Sequence, residues 1–330
     1  MNSSPSRMRI LITGITGFVG GHLAEALLDR AGVEVHGLSR RGIWPEEWQH
    51  LHGKAVLHPC DLCQQAEIAR VLAEVRPERI FHLAGYAHVG RSFQDAWAAW
   101  DGNLTATLAL YEAVVHSGAK PRIVFVGSSH VYGNPEPPDQ VFDETCLLRP
   151  VSPYASSKAA ADLASFQYTQ APGLDIVRAR PLNHIGPRQS AQYALPHFAS
   201  QIAAIEQGSR PPVVETGNLD ACRDLTDVRD VVQAYLLLMD QGRRGAAYNI
   251  GSGQVVSMQE VLQRLLALSC VQVEVRRQVE AMRPADAPTI RLSAAKLRRE
   301  TGWTPRYSLD QTLEDILRYW RSVTQAALSI

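Results

Sequence analysis

Six short apolar runs, Met8 to Thr13, Glu34 to Leu38, Ala55 to His58, Arg79 to Leu83, Arg122 to Val126 and Asp175 to Ala179, are separated by segments long enough to form helices. Bounded runs rich in Val, Ile and Leu suit strands buried on both faces. The intervening segments, around His22 to Asp29, Gln64 to Glu74, Ala96 to His116 and Ser156 to Gln170, carry apolar residues at helical spacing. A crossover helix returns the chain to the same end of the sheet, so strands alternating with helices pair in parallel. The expected fold is therefore α/β: a doubly wound parallel sheet of the Rossmann type, with a smaller α/β lobe that binds the substrate.

A chain of 330 residues exceeds the usual size of one compact core, which favours two lobes. The alternation breaks at Pro181, Gly186 and Pro187, ahead of a helical stretch from Leu195 to Gln207 and a loop from Gly208 to Pro212. Residues 1–180 are expected to form the dinucleotide-binding domain, with about 220–255 returning to it. The substrate-binding lobe is expected mainly from 181–330. Ser257-Met258-Gln259-Glu260 and Ser308-Leu309-Asp310-Gln311 read as capping boxes that open two later helices.

Composition excludes several classes of partner. The 33 basic and 33 acidic residues cancel, so there is no global electrostatic case for nucleic acid or an anionic membrane. No apolar run reaches the length of a membrane span, and the opening Met1 to Arg7 is short and polar, so neither a span nor a signal peptide is expected. The five cysteines lack the paired spacing of a disulfide framework, which fits a reducing cytoplasm. Cys60-Asp61-Leu62-Cys63 has C-x-x-C spacing, but no second pair or histidine cluster accompanies it, so no metal is expected.

The first run closes on Gly14-Ile15-Thr16-Gly17-Phe18-Val19-Gly20 and leads into a helix. In that setting a glycine turn brings backbone amides against a pyrophosphate, although a tight strand-to-helix turn also meets the same spacing. The second run ends in Arg40 and Arg41, where an acidic residue would otherwise hold a ribose 2′-hydroxyl. Two arginines there suit a 2′-phosphate, which favours NADP(H), with NAD(H) also possible. Asp61, with Leu62 beside it after the third strand, is placed to meet an adenine; a helix cap accounts for Asp61 nearly as well.

Tyr154 and Lys158 stand at i and i+4 and share a helix face, so an ammonium near the phenol would lower its pKa toward working pH. Ser128, in Gly127-Ser128-Ser129-His130-Val131-Tyr132-Gly133, follows the fifth run. Groups beyond the carboxyl ends of parallel strands face the ligand crevice. Ser128 and Tyr154 can thus bracket one oxygen, the serine donating a hydrogen bond and the tyrosine a proton to a carbonyl that hydride converts to an alkoxide.

Taken in order, these motifs resemble the extended short-chain dehydrogenase/reductases that act on nucleotide sugars. The resemblance runs from about Arg9 to Trp320. It includes His82-Leu83-Ala84-Gly85, Arg180-Pro181-Leu182-Asn183-His184-Ile185-Gly186-Pro187, Arg223-Asp224-Leu225-Thr226-Asp227-Val228-Arg229-Asp230, Asn249-Ile250-Gly251-Ser252-Gly253 and Gly302-Trp303-Thr304-Pro305. It implies cofactor contacts from Gly14, Thr16, Gly17, Phe18, Val19, Gly20, Leu83, Ala84 and Gly85, and from Tyr154 and Lys158, the lysine bonding the nicotinamide ribose. It also implies that Asn183 and Arg223 hold the substrate diphosphate or its nucleoside, and that related enzymes dimerise through the helices of Ala96 to His116 and Tyr154 to Gln170.

The dehydratases of the family carry an acidic residue after the catalytic serine or threonine, where this chain has Ser129 and His130. Together with Gln201 to Gly208 and Arg283-Pro284-Ala285-Asp286, the pattern is most similar to GDP-6-deoxy-D-mannose reductases. That likeness implies NADP(H)-dependent reduction of the 4-keto group of GDP-4-keto-6-deoxy-D-mannose to GDP-D-rhamnose, with Ser128, Asn183, Arg188, Arg223, Arg283 and Asp286 toward the substrate. Arg188 stands where the pattern has a smaller residue. A 4-epimerase or 4,6-dehydratase that recycles its cofactor is the alternative within enzymes. A noncatalytic NADP sensor is the alternative outside them, and the intact Ser, Tyr and Lys set speaks against it.

Overall fold

The computed structural model of the protein describes residues 7–278 and 289–327. In chain order the elements begin with β1 (Met8–Thr13), α1 (Phe18–Leu28), β2 (Val33–Ser39), β3 (Val56–Pro59), α2 (Gln65–Val75), β4 (Arg79–His82), α3 (Ala96–Trp100), α4 (Ala106–Ser117) and β5 (Arg122–Val126). They continue with β6 (Val141–Phe142), α5 (Pro153–Gln170), β7 (Asp175–Pro181), β8 (His184–Ile185), α6 (Ala194–Glu206), β9 (Val213–Thr216), β10 (Cys222–Asp224), β11 (Thr226–Asp227) and α7 (Val228–Gln241). The last are β12 (Ala247–Ile250), β13 (Val255–Ser257), α8 (Met258–Ala267), β14 (Glu274–Arg277), β15 (Arg291–Leu292), α9 (Ala295–Thr301) and α10 (Leu309–Ala327).

Seven strands form one parallel sheet in the order β12-β7-β5-β4-β1-β2-β3. The order reverses at β1, so the crevice between the carboxyl ends of β1 and β4 is the switch point where ligands bind in such sheets. One face is covered by α1, α7 and α9 with Trp44 and Trp48, the other by α2, α4 and α5. The six strands expected from sequence are all present, and β12 is the seventh. A separate apolar core in the smaller lobe joins Ile185, α6, Val214, α8 and α10.

The helix expected across Ala96 to His116 is interrupted. Residues Asp101–Thr105 form a π-helical turn between α3 and α4. The turn carries Asn103 inward, where Oδ1 accepts the Tyr86 N–H at 2.9 Å and Nδ2 donates to Ser157 Oγ at 2.9 Å. A π-turn of this kind inserts one extra residue into a helix and re-aims a side chain, here Asn103. Both capping serines act as expected, Ser257 Oγ accepting from Glu260 N at 3.1 Å and Ser308 Oγ from Gln311 N at 3.2 Å.

Candidate active site

The glycine turn is fixed by lack of room. Gly14 has φ +72°, and a Cβ on it would lie 2.9 Å from the backbone of Ala84. A Cβ on Gly20 would lie 2.1 Å from the Gly14 carbonyl oxygen. The close packing of β1, the 83–85 segment and α1 therefore requires glycine at both positions. Gly17 caps α1 without any side-chain hydrogen bond, and no acidic residue stands in the first turn. Gly17 is exposed and Thr16, Phe18 and Val19 are half-buried, so the turn is open to an incoming anion and fits a dinucleotide diphosphate.

Arg40 and Arg41 are exposed just beyond β2. Asp61 has a local task as well: Oδ1 accepts the Cys63 N–H at 3.0 Å, while the Asp61 N–H donates to Glu67. Leu62 packs against the α2–α4 core. Burial pushes the Cys60 thiol up to about 11, and no group of His, Cys, Asp or Glu among the described residues has the placement to hold a metal.

Ser128, Tyr154 and Lys158 are brought together and buried. Ser128 lies just past β5, its Oγ accepting the His130 N–H at 3.2 Å. Tyr154 occupies the first turn of α5, whose N-terminal amides are satisfied by Ser152 Oγ, bonded to Ala155 N at 3.1 Å, and by Ser92 Oγ, bonded to Tyr154 N at 3.2 Å. Burial raises the Tyr154 phenol above its usual range, and a hydrogen bond from Ser128 opposes that rise. Lys158 was expected to lower the phenol. Instead its Nζ donates to the Val126 carbonyl at 3.1 Å and lies where a Cβ on Gly85 would meet it at 3.0 Å. Burial brings the lysine itself down to about 8. Desolvation is the largest influence on the phenol, so Tyr154 is protonated at neutrality.

Beneath this trio lies a polar chain that sequence reasoning missed. The Ala84 N–H donates to Thr13 Oγ1 (3.1 Å), which faces His82 Nδ1 (2.7 Å); His82 Nε2 faces Thr107 Oγ1 (2.9 Å), which donates to the Asn103 carbonyl (2.5 Å). Because Thr107 donates onward, it must accept from His82, which assigns the proton to Nε2. Burial holds His82 down to about 3, so the ring is neutral. A polar Asp-Gly-Asn step inside the apolar 96–116 stretch was the only sequence sign of Asn103.

His130 faces Tyr154, their ring centroids 6.1 Å apart and nearly perpendicular. Burial, helped by the Arg223 guanidinium, lowers it to about 4, so this imidazole is also neutral. Arg223 thus lies near His130, which faces Tyr154, whereas its motif is largely scaffold. Asp224 accepts from Ser252 and Gly253, Asp227 takes the Thr312 hydroxyl, and Asp230 takes the Arg306 and Tyr307 amides. Asn183 is half-buried just past β7, its carbonyl accepting the Thr226 N–H at 3.0 Å. Arg188 has φ +69°, and its guanidinium lies 4.7 Å from the Trp48 ring centroid and 3.3 Å from Glu25. These contacts hold Arg188 against Trp48 and the Glu25 side of α1. Arg283 and Asp286 fall outside the described residues.

The family profile for GDP-mannose 4,6 dehydratase matches residues 11–316. The chain belongs to that family. It is 34% identical over 314 residues to the GDP-6-deoxy-D-mannose reductase of Pseudomonas aeruginosa, covering 95% of this chain and 97% of that one. The human GDP-mannose 4,6 dehydratase is 28% identical over 338 residues, covering 93% and 90%. Among solved structures, that of RMD from Pseudomonas aeruginosa complexed with NADPH superposes with a TM-score of 0.82 at 32% identity, covering 96% and 99%. The Thermus thermophilus UDP-glucose 4-epimerase complex with NAD gives 0.83 at 30% identity, covering 95% and 99%. The chain is accordingly an enzyme of the extended short-chain dehydrogenase/reductase type, as its motif order implied.

Proposed function

We propose that this enzyme reduces the 4-keto group of GDP-4-keto-6-deoxy-D-mannose to GDP-D-rhamnose with NADPH. The observation that carries the proposal is the Tyr154 phenol: buried, raised and hydrogen-bonded to Ser128 at the carboxyl edge of the sheet. A phenol that keeps its proton at neutrality is the group a ketone reduction needs. Likeness to the Pseudomonas aeruginosa reductase and to RMD in complex with NADPH supports the same direction.

The turn at Gly14, Gly17 and Gly20 would hold the cofactor diphosphate, Arg40 and Arg41 the 2′-phosphate, and Lys158 the nicotinamide ribose. When bound, the reduced cofactor supplies hydride. Ser128 turns its hydroxyl proton toward the sugar carbonyl and polarises it, and Tyr154 Oη delivers a proton to the developing alkoxide. Arg223, near His130, would meet the substrate diphosphate, and Asn183 would hold the same part of the substrate.

His130 favours reduction over elimination. Ser129 and His130 stand where the family's dehydratases carry an acidic residue, and the His130 ring, held near 4, is a weak base with no proton to give at working pH. Two copies would associate through α3 and α5, where Trp97 is 78% exposed and Leu163 and Phe166 present further apolar surface.

The deciding experiment supplies GDP-mannose, a separate 4,6-dehydratase and NADPH, then identifies the product. GDP-D-rhamnose with matching NADPH consumption is expected, and GDP-mannose alone should remain unchanged. Formation of the keto sugar from GDP-mannose by this protein alone would overturn the assignment.

A further inference from the structure

Four contacts converge on the segment 85–92 between β4 and α3. Gly85 leaves no room for a side chain between Asn103 Oδ1, 2.6 Å from a would-be Cβ, and Lys158 Nζ. The Tyr86 N–H donates to Asn103. Ser92 is fully buried, and its hydroxyl donates to the Val89 carbonyl at 2.6 Å, which leaves its lone pairs for the Tyr154 N–H. One side of the segment therefore touches Asn103, Lys158 and Tyr154.

The other side reaches the smaller lobe. The His88 ring stacks on Tyr193, the residue that precedes α6, with centroids 5.6 Å apart and planes within 12°. Tyr86 meets His88 edge-on, with centroids 6.2 Å apart. Tyr193 keeps 36% of its surface exposed, and its phenol lies close enough to Tyr154 to raise that group. His88 belongs to the loop after β4 and Tyr193 to the lobe expected to carry the sugar nucleotide, so the stack spans the cleft beside the phenol.

We propose that His88 and Tyr193 are a positioning pair, registering the smaller lobe on the 85–92 segment so that a carbonyl held by that lobe meets Tyr154 in reacting geometry. This rests on Tyr154 acting as the proton donor. The pair acts through Ser92 and Tyr154 and need not touch the reacting atoms. A displacement of about 1 Å at the reacting centre is enough to cost about 100-fold in rate.

The test uses the full-length protein and the variants His88→Ala, Tyr193→Ala, the double variant and Tyr193→Phe. Each alanine variant should lower turnover of the keto sugar about 10- to 100-fold, chiefly in kcat. NADPH affinity should stay within about twofold of the parent. The double variant should be no worse than the poorer single one, because the rings act as a unit. Tyr193→Phe, which keeps the stack and loses the hydroxyl, should recover to within about threefold of the parent. Multiplying losses, a phenylalanine variant as poor as the alanine one, or melting temperatures that fall in step with activity would overturn the pair.

A fluorine label separates this inference from the function it rests on. With 3-fluorotyrosine at position 154, His88→Ala should shift the fluorine resonance, since the contact passes through Ser92. An unmoved resonance overturns the pair whether or not the parent turns over. A moved resonance in a parent that fails to reduce the keto sugar supports the pair and overturns only the proposed reaction.

Discussion

His82 Nδ1 lies 2.7 Å from Thr13 Oγ1, a bond that ties β4 to β1 directly under the Gly14–Ala84 contact. The neutral ring can accept there only while Nδ1 is unprotonated, so the contact that narrows the cofactor crevice depends on pH.

Acid should therefore loosen the fold. His82 is held near 3 and His130 near 4, and burial also lowers His36 and His58, which face each other at 3.1 Å. Each is neutral when folded yet protonates near 6.5 when unfolded, so below that pH the unfolded chain binds more protons. Stability should fall as the pH drops from about 6.5 toward 4. Urea midpoints measured across this range should decline, and His82→Gln should make the decline shallower while costing about 1–3 kcal/mol at pH 7 from the lost acceptor for Thr13.

Arg40→Ala with Arg41→Ala should erase most of the preference for NADPH over NADH, read as the ratio of dissociation constants. Both side chains are exposed, so stability should change by about 0.5 kcal/mol or less. Unchanged selectivity would remove these residues from the 2′-phosphate site.

Tyr154→Phe should keep the fold and NADPH binding while lowering turnover by roughly two to four powers of ten. Ser128→Ala removes one donor to the oxyanion and should cost about two to three powers of ten. Lys158 is held near 8, so cofactor affinity in the parent should weaken as the pH rises through that value and the ammonium is lost. Lys158→Met should bind the cofactor more weakly throughout and lack that step. Stopped-flow kinetics with the keto sugar and fluorescence titration of NADPH together check all three.

Trp97→Glu with Leu163→Arg places charge on the exposed apolar face of α3 and α5. Sedimentation should show the parent as a dimer and the double variant as a monomer. A parent that sediments as a monomer would dismiss this face as the dimer interface.

Most of the sheet was legible because strand periodicity and the glycine turn are local. Runs such as Ile10 to Ile12 and Ile123 to Phe125 are buried on both faces and so appear as unbroken apolar words. Ser128, Tyr154 and Lys158 could be grouped for a related reason, since Ser128 sits at a fixed offset from a strand end and Tyr154 and Lys158 along one helix face. The sequence by itself thus determined the parallel sheet, the glycine turn and the trio. Tertiary structure alone decided the states of those groups. Whether Lys158 or desolvation governs the Tyr154 phenol depends on distances and burial that no spacing encodes, and burial prevailed. The same holds for Asn103, carried inward by a π-turn, and for Arg188, drawn to Trp48 and Glu25 from residues far away in the chain. Contacts between distant segments fix charge and reach, and they exist only once the chain has closed on itself.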